Sequence, residues 1–263
     1  MAVANKQQGL SSAGVGFFTP QGDISDKYTS WLTPAGFAFT IWGLIYLFLA
    51  VFTVYQCLPF TLQDPRINHD VSYFLAGNLV LNVVWIFAWN AEWLVVSAIV
   101  LASMSAVLYP AYKRVTKRNW QDRQVRVWDI LCVEIPISLY LGWIIAGTYS
   151  SPALLTRVRV ATFANLFAIG TLATDEFLNQ AIAGVVVVVG LESIAAIHGR
   201  NFFPSLVGAW ALFAIGSKWP DTPLFSGVCF VAAGLLVLES TLILIWRLVL
   251  FSRAKRQHTA LHA

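Results

Sequence analysis

The chain of 263 residues is 58% hydrophobic and only 11% charged, with a formal net charge of +4. Soluble globular domains carry about 25% charged residues, so this composition excludes a soluble enzyme, a disordered protein and a disulfide-stabilised secreted domain. A helix needs about 20 apolar residues to cross a bilayer, and several such runs predict an all-α, polytopic, integral membrane protein.

The chain divides into a polar lead, an apolar bundle and a basic tail. Residues 1–30 are polar and rich in turn-forming residues, which predicts an extended or loosely helical lead. A transmembrane bundle follows at residues 31–251, with mostly short loops, and a basic tail is predicted at 252–263. The predicted spans are residues 31–56, 72–90, 93–112, 128–148, 180–197, 203–216 and 227–250.

A further apolar segment at residues 158–173 is short and partly polar, so charge decides whether it crosses. Cytoplasmic loops of membrane proteins carry an excess of Lys and Arg, and residues 113–127 hold six of them. With seven spans, eleven Lys and Arg lie inside and five outside, whereas eight spans give eight on each side. We therefore predict seven spans, an outside amino terminus, an inside carboxyl terminus and an outer irregular loop at 147–160.

Three spans place aromatic and amide side chains on one helical face, because residues three, four and seven apart share a face. The faces hold Phe39, Trp42 and Tyr46 in the first span, Asn78, Asn82, Trp85 and Trp89 in the second, and Pro136, Tyr140, Trp143 and Gly147 in the fourth. Amide and indole groups that face lipid would lack hydrogen-bond partners, so these faces are predicted to point inward.

Tryptophan also gathers at membrane interfaces for amphipathic reasons. Trp31, Trp93 and Trp219 lie at the ends of predicted spans and are assigned to such a belt. Trp42, Trp143 and Trp210 lie too deep for a belt. For these three, core packing and the lining of a pocket are equally open.

Three motifs resemble the tryptophan-rich sensory protein family, which is related to the translocator protein or peripheral-type benzodiazepine receptor. They are TPAGFAFTIWGLIY at residues 33–46, NLVLNVVW at 78–85 and PISLYLGWIIA at 136–146. The resemblance covers roughly residues 14–216 and is strongest to longer members with extra helices after the shared part. The family normally has a helix before the first motif, and its AT-x-x-N continuation of the third motif stands here at residues 161–165.

The resemblance implies a helical bundle around a pocket that binds a hydrophobic ligand such as a porphyrin or a sterol. Motif residues carried over by position are Pro34, Phe39, Trp42, Tyr46, Asn82, Trp85, Tyr140 and Trp143. With the helical faces, they give the predicted ligand-binding set: Phe39, Trp42, Tyr46, Asn78, Asn82, Trp85, Tyr140 and Trp143. No cofactor is predicted other than a porphyrin-like ligand, and no metal site is predicted.

Three glutamates inside predicted spans, Glu134, Glu192 and Glu239, are the candidate catalytic residues, because buried acids in a membrane are costly. Glu134 and Glu192 lie at a similar inner-side depth of about 8–9 Å, so a shared polar cavity or proton is expected if their helices are neighbours. A structural role, with each acid hydrogen-bonded, protonated or paired (Glu239 with a cation of another helix), stays open. The functional alternatives are a proton relay, a cation site or a general acid.

Three functions are therefore compatible with the sequence. The favoured one is non-enzymatic binding, sensing or transport of a hydrophobic, tetrapyrrole-like or sterol-like ligand. The alternatives are a membrane enzyme that acts on a lipid-like substrate through the glutamates, and a structural subunit of a membrane complex. Expected partners are membrane lipids and the small molecule, with a homodimer left open. Nucleic acid is not expected, because the basic residues lie in short segments between apolar runs.

Overall fold

A computed structural model describes residues 19–121, 126–150 and 176–261, and every regular element within these ranges is helical. The prediction of an all-α bundle is thereby confirmed. The described helices are α1 Gln21–Lys27, α2 Ile41–Gln56, α3 Ser72–Asn90, α4 Leu94–Gln121, α5 Ile135–Ser150, α6 Glu176–Gly199, α7 Phe203–Lys218 and α8 Pro223–Leu261.

Short helical segments of other types lengthen three of these helices. A 3-10 segment, Gly36–Thr40, precedes α2, and a π-helix, Arg66–Val71, precedes α3. A turn at Val127–Asp129 and a π-helix at Ile130–Glu134 precede α5. Helices long and apolar enough to cross a membrane are Gly36–Gln56, Arg66–Asn90, Leu94–Trp120, Val127–Thr148, Ala181–Gly199 and Pro223–Leu250.

The predicted sixth span is the 16-residue helix α7, about 24 Å long at 1.5 Å per residue. It nevertheless extends between the two ends of the bundle. At the end that holds α1, which we call the α1 end, Lys218 closes α7 beside Asp26, and Trp31 packs on Phe225 at the start of α8. Leu32 packs in one cluster with Leu178, near the start of α6.

Different helix termini meet at the opposite end. Trp120, near the end of α4, donates its indole N–H to the Arg200 carbonyl just after α6, at 3.3 Å. The Trp120 ring also lies 5.2 Å from that of Trp246 on α8. Successive helices therefore alternate in direction, which is compatible with the predicted seven spans. Which end of the bundle lies on the cytoplasmic side stays a prediction.

Several element boundaries differ from the sequence prediction. The first span is helical only from Gly36, because Pro34 disfavours a helical Thr33 and Ala35 is extended. The last helix continues to Leu261, through most of the predicted tail. Helix α5 continues to Ser150, so the start of the predicted loop 147–160 is helical. Residues 1–18, the rest of that loop and all of segment 158–173 lie outside the described residues.

Helix α5 is the centre of the bundle and packs against α2, α4, α6 and α7. In the membrane span Val127–Thr148, which contains most of α5, 83% of the most apolar window is buried, as expected for a helix that is apolar on all sides. Gly142 allows α7 to approach it closely. A Cβ at this position would lie 3.3 Å from the Cα of Pro204 and 3.0 Å from the Cβ of Val207. A larger residue at 142 would therefore force the two helices apart.

Candidate functional site

A cavity of about 50 Å³ lies toward the α1 end, enclosed by α1, the 3-10 segment, α2, α3, α4, α5 and α7. We call it the tryptophan-lined cavity. Its lining residues are Ser25, Pro34, Phe39, Trp42, Trp85, Trp89, Leu101, Trp143, Ile144, Ala146, Gly147 and Ala211. Four indoles and one phenyl ring dominate these walls, and none of the lining residues that the structure describes is charged.

Trp42 connects the aromatic walls. Its ring stacks on that of Trp85 at a centroid distance of 5.2 Å and meets Trp143 edge-on at 6.4 Å. Trp85 stacks in turn on Trp89, one helical turn further along α3, at 6.0 Å. Phe39 meets Trp143 edge-on at 6.0 Å, which completes the wall. Offset and edge-on contacts of this kind stabilise an aromatic cluster beyond simple area burial.

The structure brings the eight predicted binding residues into one region but gives them two positions. Phe39, Trp42, Trp85 and Trp143 line the cavity. Tyr46, Asn78, Asn82 and Tyr140 lie behind those walls. Tyr46 stacks on Trp42 at a centroid distance of 5.4 Å, and Tyr140 meets Trp42 edge-on at 6.0 Å. The Tyr46 hydroxyl donates to Oδ1 of Asn82 at 3.3 Å, and Asn78 donates to the Met104 carbonyl at 2.7 Å.

Sequence reasoning omitted several lining residues. Trp89 had a signal, because it continues the face of Trp85 at a spacing of four residues. Ser25, Leu101 and Ala211 had none, since they reach the cavity from the polar lead, α4 and α7 only after the helices pack. Trp210 belongs neither to the core nor to this cavity: it is 37% exposed, and its indole N–H donates to the Ala38 carbonyl at 3.2 Å. It lines a separate, open apolar groove together with Phe213 and Phe230.

The cavity walls contain hydrogen-bond donors without acceptors. The indole nitrogens of Trp42, Trp85 and Trp89 are buried and have no hydrogen-bond partner, and the same is true of Nδ2 of Asn82. A buried donor left unpaired is costly, and such groups are uncommon in folded proteins. These indoles are therefore available to a molecule that accepts hydrogen bonds.

Helix α1 closes the tryptophan-lined cavity at its end of the bundle. Ile24 and Ser25 are buried, while the end of the helix is held by polar contacts that we call the α1 clamp. Lys27 Nζ lies 2.6 Å from both oxygens of Glu92, and the Tyr28 hydroxyl donates to the same carboxylate. Glu92 has a φ of 58°, a left-handed conformation that is uncommon for a non-glycine residue.

The α1 clamp is expected to open in acid. Hydrogen bonds from Lys27 and Tyr28 hold the pKa of Glu92 below its usual value. A carboxyl whose pKa is lowered by folding stabilises the folded contacts above its unfolded pKa, and this stabilisation is lost as pH falls through the folded pKa. A spin label at Asp23→Cys, in a chain without its own cysteines, should be immobile at neutral pH and mobile in acid.

The Glu92→Gln variant should mobilise this label already at neutral pH, because it removes the charge that Lys27 contacts. Asp221→Asn, at an exposed carboxylate between α7 and α8, serves as the matched control and should leave the label immobile. Equal label mobility in the Glu92→Gln variant and the parent protein, at every pH, would show that the clamp does not hold α1.

Glu134, a candidate catalytic residue, is instead part of a buried ion pair. Arg247 on α8 contacts both carboxylate oxygens of Glu134, at 2.5 and 2.8 Å. The side chain of Arg247 is 5% exposed and that of Glu134 is 0% exposed. Asn119 donates to Oε2 of Glu134 at 2.7 Å, and Asn201 donates to Oε1 at 2.9 Å. Every carboxylate oxygen of Glu134 is thus bonded, which favours the structural role.

This ion pair belongs to a buried polar network at the opposite end of the bundle. Asn119 accepts a hydrogen bond from Nε of Arg66 at 2.9 Å, and Arg66 contacts Asp129 at 3.2 Å. Tyr55 donates to Asp129 at 2.5 Å. The network connects the end of α2, the approach to α3, α4, the approach to α5, and α8.

The expected partnerships of the other glutamates are corrected as well. Glu192 packs against Gly208 of α7, and its buried oxygens have no hydrogen-bond partner, so it does not share the bonded site of Glu134. Glu239 accepts hydrogen bonds from Ser193 and Ser205 instead of a cation of another helix, and Arg247, on the same helix as Glu239, bonds Glu134. A similar depth along two helices therefore did not predict which acids are neighbours, because depth does not determine which helix each side chain faces.

Comparison with known proteins gives one match. A family model described as TSPO-like protein matches residues 8–242, which is most of the chain. No curated protein and no solved structure matches the chain significantly.

Proposed function

This chain belongs to the TSPO-like protein family, and we propose that it binds an uncharged, planar, hydrophobic ligand in the tryptophan-lined cavity. Its family, together with six helices within the described ranges that are long and apolar enough to cross a membrane, makes it an integral, multi-pass membrane protein. The observation that carries the proposal is the wall of four tryptophans, three of which have buried indole N–H groups without an acceptor.

The aromatic walls favour a flat ligand. Offset stacking and edge-on contacts with an aromatic ring contribute about 0.5–1.5 kcal/mol each beyond area burial. A planar ring system can make several of these contacts at once with Trp42, Trp85 and Trp143. Ligand sites are commonly apolar with a few placed polar groups, which is the composition of this cavity.

The donors favour a ligand with neutral hydrogen-bond acceptors. Indole N–H groups can donate to a carbonyl, an ether or a ring nitrogen. A ligand carboxylate would meet no cation among the described lining residues, and burial of an uncompensated charge is strongly unfavourable. A porphyrin-like or sterol-like ligand therefore fits best when its buried part is uncharged.

The size of the cavity implies that it opens before such a ligand enters. A volume of about 50 Å³ has room for a few water molecules, not for a tetrapyrrole or a sterol. Helix α1 is short, and the ion pairs of Lys27 with Glu92 and of Lys218 with Asp26 that hold it are partly exposed, so they oppose its displacement only weakly. We place the entrance at α1 for this reason.

Tryptophan quenching by a porphyrin methyl ester tests the proposal. The ester should quench saturably, and the corresponding free acid should bind more weakly. Trp143→Phe should weaken ester binding about 2–10-fold, which corresponds to the loss of one stacking contact. Trp219→Phe is the matched control, since Trp219 packs on Trp31 outside the cavity.

Two results would contradict the proposal. One is quenching that rises linearly with ligand and does not saturate, which indicates partition into lipid. The other is an equal effect of Trp143→Phe and Trp219→Phe, which would place the ligand away from the cavity. The enzyme alternative has less support, because the oxygens of Glu134 are bonded within the ion pair and Glu134 does not line the cavity.

A further inference from the structure

We propose that Glu192 and Glu239 form a proton-binding site between α6, α7 and α8, separate from the tryptophan-lined cavity. In this site Glu192 holds one exchangeable proton, and its acid O–H faces the carboxylate of Glu239. The site does not depend on the ligand proposed above, because neither glutamate lines that cavity.

The position of Glu192 is defined by a glycine on the neighbouring helix. Its side chain is fully buried, with 0% exposure, and lies against Gly208 of α7. A Cβ on Gly208 would come within 2.8 Å of Cγ of Glu192 and 3.0 Å of Cδ1 of Leu236 on α8. The glycine therefore leaves the space that lets a glutamate from α6 reach the seam between α7 and α8.

Glu239 reaches the same seam from α8, since it lies one helical turn beyond Leu236. Its Oε2 accepts hydrogen bonds from Ser193 of α6 at 2.8 Å and from Ser205 of α7 at 2.9 Å. Ser205 is one turn before Gly208, so the two carboxyl groups converge at one level of the bundle. Ser193, which donates to Glu239, is also the chain neighbour of Glu192 on α6.

The two carboxyl groups differ in their hydrogen bonding. Both oxygens of Glu192 are buried without a hydrogen-bond partner, whereas Glu239 accepts from two hydroxyl groups. Hydrogen bonds donated to a carboxylate stabilise its charged form, and burial without donors favours the neutral acid. We therefore assign the exchangeable proton to Glu192.

No described cation offers an alternative neutralisation, since no salt bridge within the described ranges involves Glu192 or Glu239. Arg247 is eight residues beyond Glu239 on α8 and contacts both oxygens of Glu134 of the α5 span. Helix α4 contributes Tyr112, which lies within electrostatic range of Glu134 and Glu192, and α7 contributes the neutral Ser205. Two adjacent carboxylates in a membrane interior are strongly unfavourable, so one binds a proton.

Glu239 is half-buried whereas Glu192 is fully buried, so we assign the path of the proton to and from Glu192 to Glu239. As pH rises, the pair loses its proton and holds two negative charges. The mutual repulsion of these charges acts between α6 and α8. The site thereby makes the packing of the last three helices dependent on pH.

Infrared spectroscopy of the full chain in liposomes tests this site, because a protonated carboxyl group has a C=O stretching band that a carboxylate lacks. We expect this band at neutral pH, a shift of the band in D₂O, and its reversible loss as pH is raised. Glu192→Gln should abolish the band, while Glu239→Gln should retain it. Glu92→Gln, at the ion-paired carboxylate of the α1 clamp, should leave it unchanged.

Thermal unfolding of each variant checks that the infrared spectra are compared between folded proteins. The Glu192→Gln variant should stay folded, because Gln has the shape of Glu and is neutral like the protonated acid. The proposal is overturned if the parent protein has no such band, if the band survives in Glu192→Gln, or if it does not respond to pH. A band that is present in choline buffer but absent in sodium buffer would overturn it in favour of a metal-cation site. None of these outcomes depends on porphyrin binding.

Discussion

Arg247→Met is expected to destabilise the protein by about 3–5 kcal/mol, because it leaves the Glu134 carboxylate buried without its cation. Glu134 is 0% exposed and depends on Arg247 for two of its contacts, at 2.5 and 2.8 Å. The remaining donors, Asn119 and Asn201, are neutral amides. The free energy of unfolding can be measured by SDS titration in mixed micelles.

The double variant Glu134→Gln with Arg247→Met should recover most of this loss, since a buried pair replaced by neutral side chains is often tolerated. Lys218→Met is a matched control, because it breaks a more exposed pair with Asp26 and should change stability little. If Arg247→Met costs no more than Lys218→Met, the ion pair does not hold the opposite end of the bundle together.

Trp42→Ala is expected to cost about 3–5 kcal/mol of unfolding free energy, as for other large-to-small changes at buried aromatic residues. Trp42 of α2 is 5% exposed and contacts Trp85 of α3 at 5.2 Å and Trp143 of α5 at 6.4 Å. Its removal therefore breaks the aromatic contacts that join these three helices. Saturable ligand quenching should be lost together with stability, because the stacking surface disappears.

Trp93→Ala provides the comparison for this prediction. Trp93 is 64% exposed at the turn between α3 and α4, and its truncation should change the free energy of unfolding by about 0.5 kcal/mol or less. An equal cost for Trp42→Ala and Trp93→Ala, with ligand binding intact in both, would show that the aromatic cluster neither stabilises the bundle nor forms the site.

The sequence predicted the helices and their inward faces because both depend on local periodicity. The faces of Trp42, Trp85 and Trp143 meet around one cavity, since side chains at helical spacing must point the same way. The clustering of polar groups also followed from the cost of exposing them to lipid. These inferences need no knowledge of which helices are neighbours.

Long-range partners could not be predicted in this way. Glu134 and Arg247 are 113 residues apart, and only the packing of α8 on the rest of the bundle brings them together. Helix α1 has seven residues, too few to be stable alone, and it forms because Ile24 and Ser25 are buried by other elements. Its contribution of Ser25 to the cavity therefore had no signal in the sequence.

Helix α8 extends beyond the end of the predicted span for a different reason. Charge in residues 252–263 indicates where the chain leaves the apolar layer, but it does not indicate where a helix stops. Between residues 235 and 261 there is no proline or glycine to end the helix, so α8 continues to Leu261. The predicted limit of the membrane span and the observed limit of the helix are thus different properties.

Photolabelling tests the central claim, that the tryptophan-lined cavity is the ligand site, most directly. A neutral, planar aromatic ligand carrying a diazirine would be crosslinked to the protein in liposomes and mapped by peptide mass spectrometry. We predict that labels fall on lining residues such as Phe39, Trp85 and Ala146, and that excess unlabelled ligand removes them. Labels confined to the apolar groove of Trp210, Phe213 and Phe230, or insensitive to competition, would contradict the account.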